Sequence, residues 1–318
     1  MSQGKFFNRT ASYRRVFKRK VFEPLKTKIP PIALFLLLAA LFPAWGNENA
    51  INFNIFTSVD WQRGELHAQT SFNLAQAGLR LPAGRLLGED ILQRAWPRLF
   101  RPQLLSIRVD SNSTIGDLIE RGELSLQDLD ALSRRARKTP PNLSADMTNM
   151  IGRYTVLVEE ISGLLIRHRQ TFEPVRPLIP VPTVDYTGII IIADRELPVR
   201  GRNATARLEP SLFPKIWDTN MNLIYERGMV DPAIPLIVRY ANAESIFRPT
   251  PSGLDGELAA LVGPRPARIF AREVFGIYPT DPVIDHNDAM RILSSDHNRR
   301  LLREGRVAIV LDGARLGN

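Results

Sequence analysis

The sequence predicts an α+β protein with mixed sheets, β-hairpins and a few packed helices, which follows a basic N-terminal leader with an apolar segment. Segments of alternating apolar and polar residues occur in pairs, and a short turn joins the two segments of each pair, as in β-hairpins. Apolar residues spaced three and four apart predict helices. Four consecutive isoleucines at 189–192 favour a strand that is covered on both faces.

The composition is that of a globular protein. Of the 318 residues, 44% are hydrophobic and 24% are charged. The absence of cysteine excludes disulfide bonds, thiolate metal sites, a cysteine nucleophile and a lipid-modified N-terminal cysteine.

The basic charge is concentrated in the leader. Residues 1–46 hold nine Lys and Arg against one Glu, a net charge of +8, whereas the whole chain carries +9. Residues 47–318 therefore carry only about +1. Since nucleic-acid binding needs a basic surface on the folded domain, this distribution argues against a nucleic-acid partner.

Residues 1–46 are predicted to be a signal peptide or a signal anchor. The uncharged stretch 32–45 is shorter than the about 20 residues of a membrane-spanning helix, and the small residues Ala44 and Gly46 stand at the −3 and −1 positions of a cleavage site. The basic residues before it orient the chain towards the outside, so the body is expected in the periplasm or cell envelope. An uncleaved leader would contact the inner membrane through residues 32–45. A buried helix in a cytosolic protein is the alternative.

Residues 47–170 are predicted to form an N-terminal α+β domain. Its first two strands, 51–61 and 65–72, are joined by a hairpin turn in which Gly64 supplies a positive φ. The second of two short predicted helices begins with Ser125 and Asp128 as a near capping box. The other predicted elements are a helix at 88–100, a strand at 104–109, helices at 114–121 and 125–138, and strands at 154–158 and 164–166.

Residues 171–184 are predicted to be a proline-rich linker. Pro174, Pro177, Pro180 and Pro182 favour an extended polyproline II path. A proline-lined edge inside a single domain is the alternative.

Residues 185–318 are predicted to form a C-terminal α+β domain. Asp285 is expected to cap a helix that runs to about Arg303, and Gly305 to end it. The predicted strands are 186–193, the hairpin 213–218 and 222–225, and then 236–240, 267–275 and 306–311.

No catalytic, cofactor or metal residues are predicted. The four histidines are His67, His168, His286 and His297. His286 and His297 are eleven residues apart on one predicted helix, about 16 Å, which is too far for one metal ion. The neighbouring acids Asp285, Asp288 and Asp296 are typical of a solvated helix face. The sequence leaves open a catalytic Ser-His-Asp triad that is assembled from residues far apart in the chain.

Two polar segments are interpreted as turns. The segment 110–117 resembles a calcium loop, but its glycine comes at the seventh position, and Arg121 stands where the bidentate Glu belongs. It is therefore expected to be a turn that leads into a helix, and residues 218–222 are expected to form the turn of the second hairpin. Large aromatic side chains are predicted to be core residues rather than ligand platforms; they are Trp61, Trp96, Trp217 and Phe275.

Residues 185–312 resemble the flagellar assembly protein T-like envelope proteins. The resemblance lies in the strand segment 185–194, the hairpin segments 212–218 and 222–225, and the final segments 279–293 and 305–311. Ala193-Asp194-Arg195 departs from the Ala-Arg-Gly of that family, and this chain has no cysteine for the lipid anchor of several relatives. The resemblance implies a periplasmic, non-enzymatic protein, related to proteins that help to build rings around the flagellar motor, and it brings no catalytic residues.

The sequence thus predicts a non-enzymatic exported envelope protein that acts through protein–protein contacts. Its expected partners are envelope proteins, including flagellar basal-body components. The alternatives are a periplasmic ligand-binding module and an envelope hydrolase with a dispersed site.

Overall fold

The computed structural model describes residues 51–317, and the predicted leader lies outside the described residues. These described residues belong to one compact unit. The fold is α+β, as the sequence predicts, with one antiparallel sheet, one mixed sheet and a two-stranded ribbon. None of the helices described between residues 51 and 317 combines the length and the apolar character that crossing a membrane requires.

The first sheet has four antiparallel strands in the order β1-β2-β4-β3. Its strands are β1 (Phe53–Asp60), β2 (Glu65–Asn73), β3 (Arg137–Leu143) and β4 (Asn149–Leu157). The predicted hairpin is confirmed: Phe53 pairs with Phe72, Asp60 pairs with Glu65, and Gly64 has a φ of 66° in the turn.

Four helices belong to this N-terminal half, which we define as residues 51–165. They are α1 (Gly84–Leu105), α2 (Ile115–Glu120), α3 (Leu126–Arg135) and α4 (Val158–Leu165). Helix α1 buries Leu92, Trp96, Phe100 and Leu104, which are spaced four residues apart. The indole of Trp96 stacks on Tyr154 of β4, with a centroid separation of 3.8 Å, so this stripe holds the helix against the sheet.

The second sheet has seven strands in the order β10-β13-β5-β11-β12-β8-β9. These strands are β5 (Ile189–Ala193), β8 (Ile216–Asp218), β9 (Leu223–Tyr225), β10 (Arg239–Asn242), β11 (Ala267–Phe275), β12 (Asp281–Ile284) and β13 (Val307–Leu311). The two-stranded ribbon consists of β6 (Glu196–Pro198) and β7 (Thr205–Arg207). Strand β5 lies between β13 and β11 and is parallel to both.

Both faces of β5 are covered, which confirms the interpretation of the isoleucine run. Ile189 and Ile191 join the main core, whereas Ile190 and Ile192 pack on the opposite face. Helix α5 (Gly256–Val262) covers that second face, and the C-terminal half, defined as residues 189–317, also contains α6 (His286–Leu293) and α7 (Asp296–Arg303).

Three predicted elements of the N-terminal half are wrong. The predicted strand 104–109 is the end of α1 and a loop, because the buried stripe carries the helix past Pro97 to Leu105. The predicted helix 125–138 ends at Arg135, and the chain then forms β3. The predicted strand 164–166 instead continues the helix α4 to Leu165.

Two predictions for the C-terminal half also need correction. The helix predicted from Asp285 to about Arg303 is two helices, because Ser295 caps a new one by accepting a hydrogen bond from the Asn298 amide. The strand predicted at 236–240 is β10, which begins at Arg239.

The two halves share one hydrophobic core. The core that contains Trp96 and Tyr154 also contains Ile191 and Ile309. Backbone hydrogen bonds cross between the halves as well: the Phe213 amide donates to the Val109 carbonyl at 2.8 Å.

Candidate functional site

The segment 171–184, which we call the proline strap, has no helix or strand but is held to the C-terminal half along its length. The Phe172 amide donates to the Gly228 carbonyl at 3.2 Å, and the Val181 amide donates to Ser294 Oγ at 3.0 Å. Just beyond the strap's last anchor, fully buried Asn298 donates to the Val184 carbonyl and accepts the Tyr186 amide. The strap therefore lies fixed on α6 and α7.

The middle of the proline strap presents apolar side chains to solvent. Val175 is 71% exposed, Leu178 is fully exposed, and Ile179 is 80% exposed. Large apolar side chains that are held in the open, next to each other, are typical of interaction surfaces.

All four histidines contact groups within the fold. His67 Nδ1 is 3.2 Å from Thr155 Oγ1, while His168 and His297 use Nε2 to bond the backbone carbonyls of Val230 and Tyr186. The break between α6 and α7 puts His286 and His297 on separate helices. Among residues 51–317, no group of three or more His, Asp or Glu side chains is arranged to hold a metal ion.

Asp218 and His286 form a polar pair in the C-terminal half. The buried Asp218 accepts the Asn220 and Asn222 amides at 2.9 and 2.7 Å, and His286 Nδ1 lies 2.7 Å from its other oxygen. Burial opposes the charged carboxylate, but these donors outweigh it and lower the pKa of Asp218. The predicted hairpin turn at 218–222 is confirmed, and this pair ties it to α6.

Asp281 is a buried acid that sequence reasoning missed. Its carboxylate accepts the Lys215 amide at 3.1 Å and the Trp217 indole N–H at 3.2 Å. Burial raises the pKa of Asp281 despite these donors. Asp281 therefore does not face solvent. Its hydrogen bonds to Lys215 and Trp217 fix the start of the second hairpin.

The segment 110–117 is a turn and a helix cap, as predicted. Asp110 accepts the Asn112 amide at 2.9 Å and the Ser113 hydroxyl at 2.8 Å. Thr114 and Asp117 then form a capping box, in which hydrogen bonds from Thr114 lower the pKa of Asp117.

Of the four aromatic residues predicted to lie in the core, Trp96 is buried there and Trp61 packs against it, whereas Trp217 and Phe275 are outside the core clusters of the described residues. Trp96 is 1% exposed, and Trp61 packs against the core with its ring centroid 5.7 Å from that of Tyr240. Trp217 and Phe275 are half-buried and make an edge-to-face pair at 5.8 Å.

A cleft of about 320 Å³ opens where the two halves meet. Residues 109–123 form one wall, residues 165–168 form the end, and residues 213–228 form the other wall. No sequence motif marks this cleft, because its walls are about a hundred residues apart in the chain.

Two family models match the chain. The model described as Treponema pallidum Tp0624, N-terminal domain, matches residues 52–164, and the model described as Treponema pallidum Tp0624, second domain, matches residues 188–313. No curated protein matches the chain. The two matched ranges coincide with the two halves of the fold, and the proline strap lies between them. The chain is therefore similar, in the same order, to the N-terminal and second domains of Treponema pallidum Tp0624.

Proposed function

We propose that this is a non-enzymatic, exported protein of the cell envelope that acts through protein–protein contacts in the assembly of the flagellar motor or another periplasmic structure. The proline strap is the observation that carries the proposal. It holds Val175, Leu178 and Ile179 in solvent while both of its ends are hydrogen-bonded to the fold. A rigid, extended, apolar segment loses little conformational entropy when a partner binds it.

The charge distribution supports export. The leader carries nearly all of the net positive charge and precedes an uncharged stretch, which is the pattern of a signal peptide or anchor. The near-neutral body is consistent with a protein partner and gives no bulk attraction to nucleic acid.

The flagellar part of the proposal depends on the resemblance of residues 185–312. The matching segments contain β5, the β8–β9 hairpin, β12, α6 and β13. In the second sheet these strands lie on both sides of β11 and include one edge, and α6 ends next to Ser294, which anchors the proline strap.

The experiment is a cross-linked capture from intact envelopes, with a tag after Asn318 on the full chain. The test variant carries Leu178→Ser and Ile179→Ser. The matched control carries Leu86→Ser and Leu87→Ser, an adjacent leucine pair on α1 that is 77% and 53% exposed. Both variants replace two exposed aliphatic side chains with serine, so they differ in the position of the change on the surface rather than in its chemistry.

The proposal predicts that the wild-type chain and the α1 variant capture the same envelope protein, and that the strap variant loses it. A basal-body or ring protein in that position would support the flagellar role. Equal capture by all three chains would contradict the role of the strap, and capture of cell-wall polymers alone would contradict the protein-contact function.

A further inference from the structure

The cleft between the two halves gathers four cationic side chains over an apolar floor. Arg121 belongs to the wall formed by residues 109–123, and Arg167 lies at the end of the cleft. Lys215 and Arg227 belong to the opposite wall, formed by residues 213–228. Ligand sites occur preferentially at such junctions, and a volume of about 320 Å³ lies within the range of small-molecule sites.

Two of these cations are held in place without a carboxylate partner in the part of the chain that the structure describes. The Arg227 guanidinium lies 4.7 Å from the centre of the Phe213 ring and donates one N–H to the Leu165 carbonyl at 3.3 Å. Arg167 donates to the Glu123 backbone carbonyl. A guanidinium has five N–H donors, so each keeps donors for a ligand.

Lys215 is positioned through its backbone. Its backbone amide is bonded to Asp281, which fixes the residue at the start of β8. Lys215 is half-buried as a residue, and among residues 51–317 its ammonium group has no ion-pair partner.

Three acidic side chains also line the cleft, and two of them are engaged. Asp110 accepts two hydrogen bonds within its own turn, and Glu123 pairs with Arg121 at 2.6 Å. Glu226 is the third. With four cations against three acids, the cleft has a formal charge of +1 before His168 is counted.

The floor strengthens the attraction for an anion. Leu118, Leu165 and Phe213 are each at most 6% exposed and lie beneath the charged rim. Apolar walls lower the local dielectric, so charges here interact more strongly than on an open surface.

We propose that this cationic cleft, bounded by Arg121, Arg167, Lys215 and Arg227, binds a small multivalent oxyanion of the phosphate or carboxylate type. Arginine pairs with both groups through parallel N–H bonds, and lysine adds a point charge. The site lies at the junction of the two halves, so an occupant would contact both.

The lysines of the body provide an internal test. Lys138 and Lys215 are the only lysines in residues 51–317, and Lys138 is exposed on β3, outside the cleft lining. The full chain is treated with an amine-acylating reagent, with and without pyrophosphate, citrate or neutral glucose, and the modification of each lysine is measured by mass spectrometry.

The proposal predicts that pyrophosphate or citrate slows the acylation of Lys215 at least fivefold and leaves that of Lys138 unchanged, while glucose protects neither. Protection by pyrophosphate alone would assign a phosphate-type ligand, and protection by citrate alone would assign a carboxylate-type ligand. Equal protection of both lysines, protection by glucose, or no protection would overturn the proposal.

A second measurement uses variants of the full chain. Lys215→Met keeps the aliphatic stem and removes the charge, and Lys138→Met is its matched control. Calorimetric titration with the protecting anion should show binding weakened at least tenfold by Lys215→Met and unchanged by Lys138→Met. Equal affinity in the two variants would overturn the proposal.

Discussion

At the scale of single residues, Asp218 shows how a turn can be fixed by one buried carboxylate. It accepts backbone amides of its own turn and contacts His286, the first residue of α6. Its lowered pKa means that the folded state favours the charged form more than the unfolded chain does.

Asp218→Asn should therefore destabilise the protein at neutral pH. We expect a loss of about 1–3 kcal/mol in the free energy of unfolding at pH 7, because a charge-assisted acceptor is removed. Because the pKa of Asp218 is depressed in the folded state, this contribution is fully present above pH about 4, the pKa of Asp in the unfolded chain. It is lost as the pH falls through the folded-state pKa. Urea unfolding at pH 7, 4 and 3 should show that the difference in free energy of unfolding between Asp218→Asn and the wild type becomes smaller as the pH falls.

Asp194→Asn is the matched control. Asp194 is half-buried and follows β5, and no hydrogen bond connects its carboxylate to another residue within 51–317. Its substitution should change the free energy of unfolding by less than about 0.5 kcal/mol at each pH. A pH-independent loss for Asp218→Asn would mean that shape, and not charge, explains the effect.

At the scale of elements, sequence patterns predicted those units whose signals are local. The near capping box of Ser125 and Asp128 marks the start of α3, Asp285 marks that of α6, and the isoleucine run marks β5. Predictions from local sequence patterns were wrong where tertiary packing accommodates prolines inside a helix or strand. Pro140 and Pro141 fit in β3 because it is an edge strand whose register shifts between Thr139 and Asn142.

The candidate surfaces were predictable to different degrees. The spacing of four prolines predicted a segment without helix or strand at 171–184, but not the contacts with α6 and α7 that hold it. The cationic cleft had no sequence signal, because Arg121, Arg167 and Arg227 come from separate segments and only the folding of both halves brings them together.

Asn298→Ala should release the end of the proline strap. The buried amide of Asn298 bonds Val184 at 2.9 Å and Tyr186 at 3.0 Å, so its loss leaves two backbone groups without partners. We expect a loss of about 2–3 kcal/mol in stability, and hydrogen exchange at the Tyr186 amide at least tenfold faster than in the wild type.

Asn287→Ala is the control for this change, since Asn287 is exposed on α6. It should leave the exchange of the Tyr186 amide unchanged. Faster exchange in both variants would indicate a general loosening of α6 and α7, and unchanged exchange in Asn298→Ala would show that the strap is held by other contacts.

At the scale of the whole molecule, the two halves are joined through close backbone approaches. Gly276, with a φ of 117°, lies against Ser111 of the N-terminal half, and the Tyr278 amide donates to the Ser111 carbonyl at 2.9 Å. A Cβ at Gly276 would come within 2.5 Å of the Tyr278 carbonyl and would collide with Ser111.

Gly276→Ala should therefore destabilise the joined halves. We expect a cost of about 2–4 kcal/mol from backbone strain and steric overlap. Gly201→Ala is the control: its φ is 77°, but nothing lies within 4 Å of the added methyl, so strain alone should cost about 1–2 kcal/mol. The urea unfolding midpoints of the two variants measure these costs. Equal costs would mean that Ser111 moves away from the added methyl group with little loss of stability.

The proposed function depends most on the claim that the proline strap contacts a partner in the envelope. The most direct measurement places a photo-crosslinking amino acid at Leu178 in one full-length chain and at Leu86 in another, followed by irradiation of living cells. We predict a discrete cross-linked species containing an envelope protein from position 178 and none from position 86. The absence of a cross-link at 178, or the same cross-links from both positions, would contradict the protein-contact function of the strap.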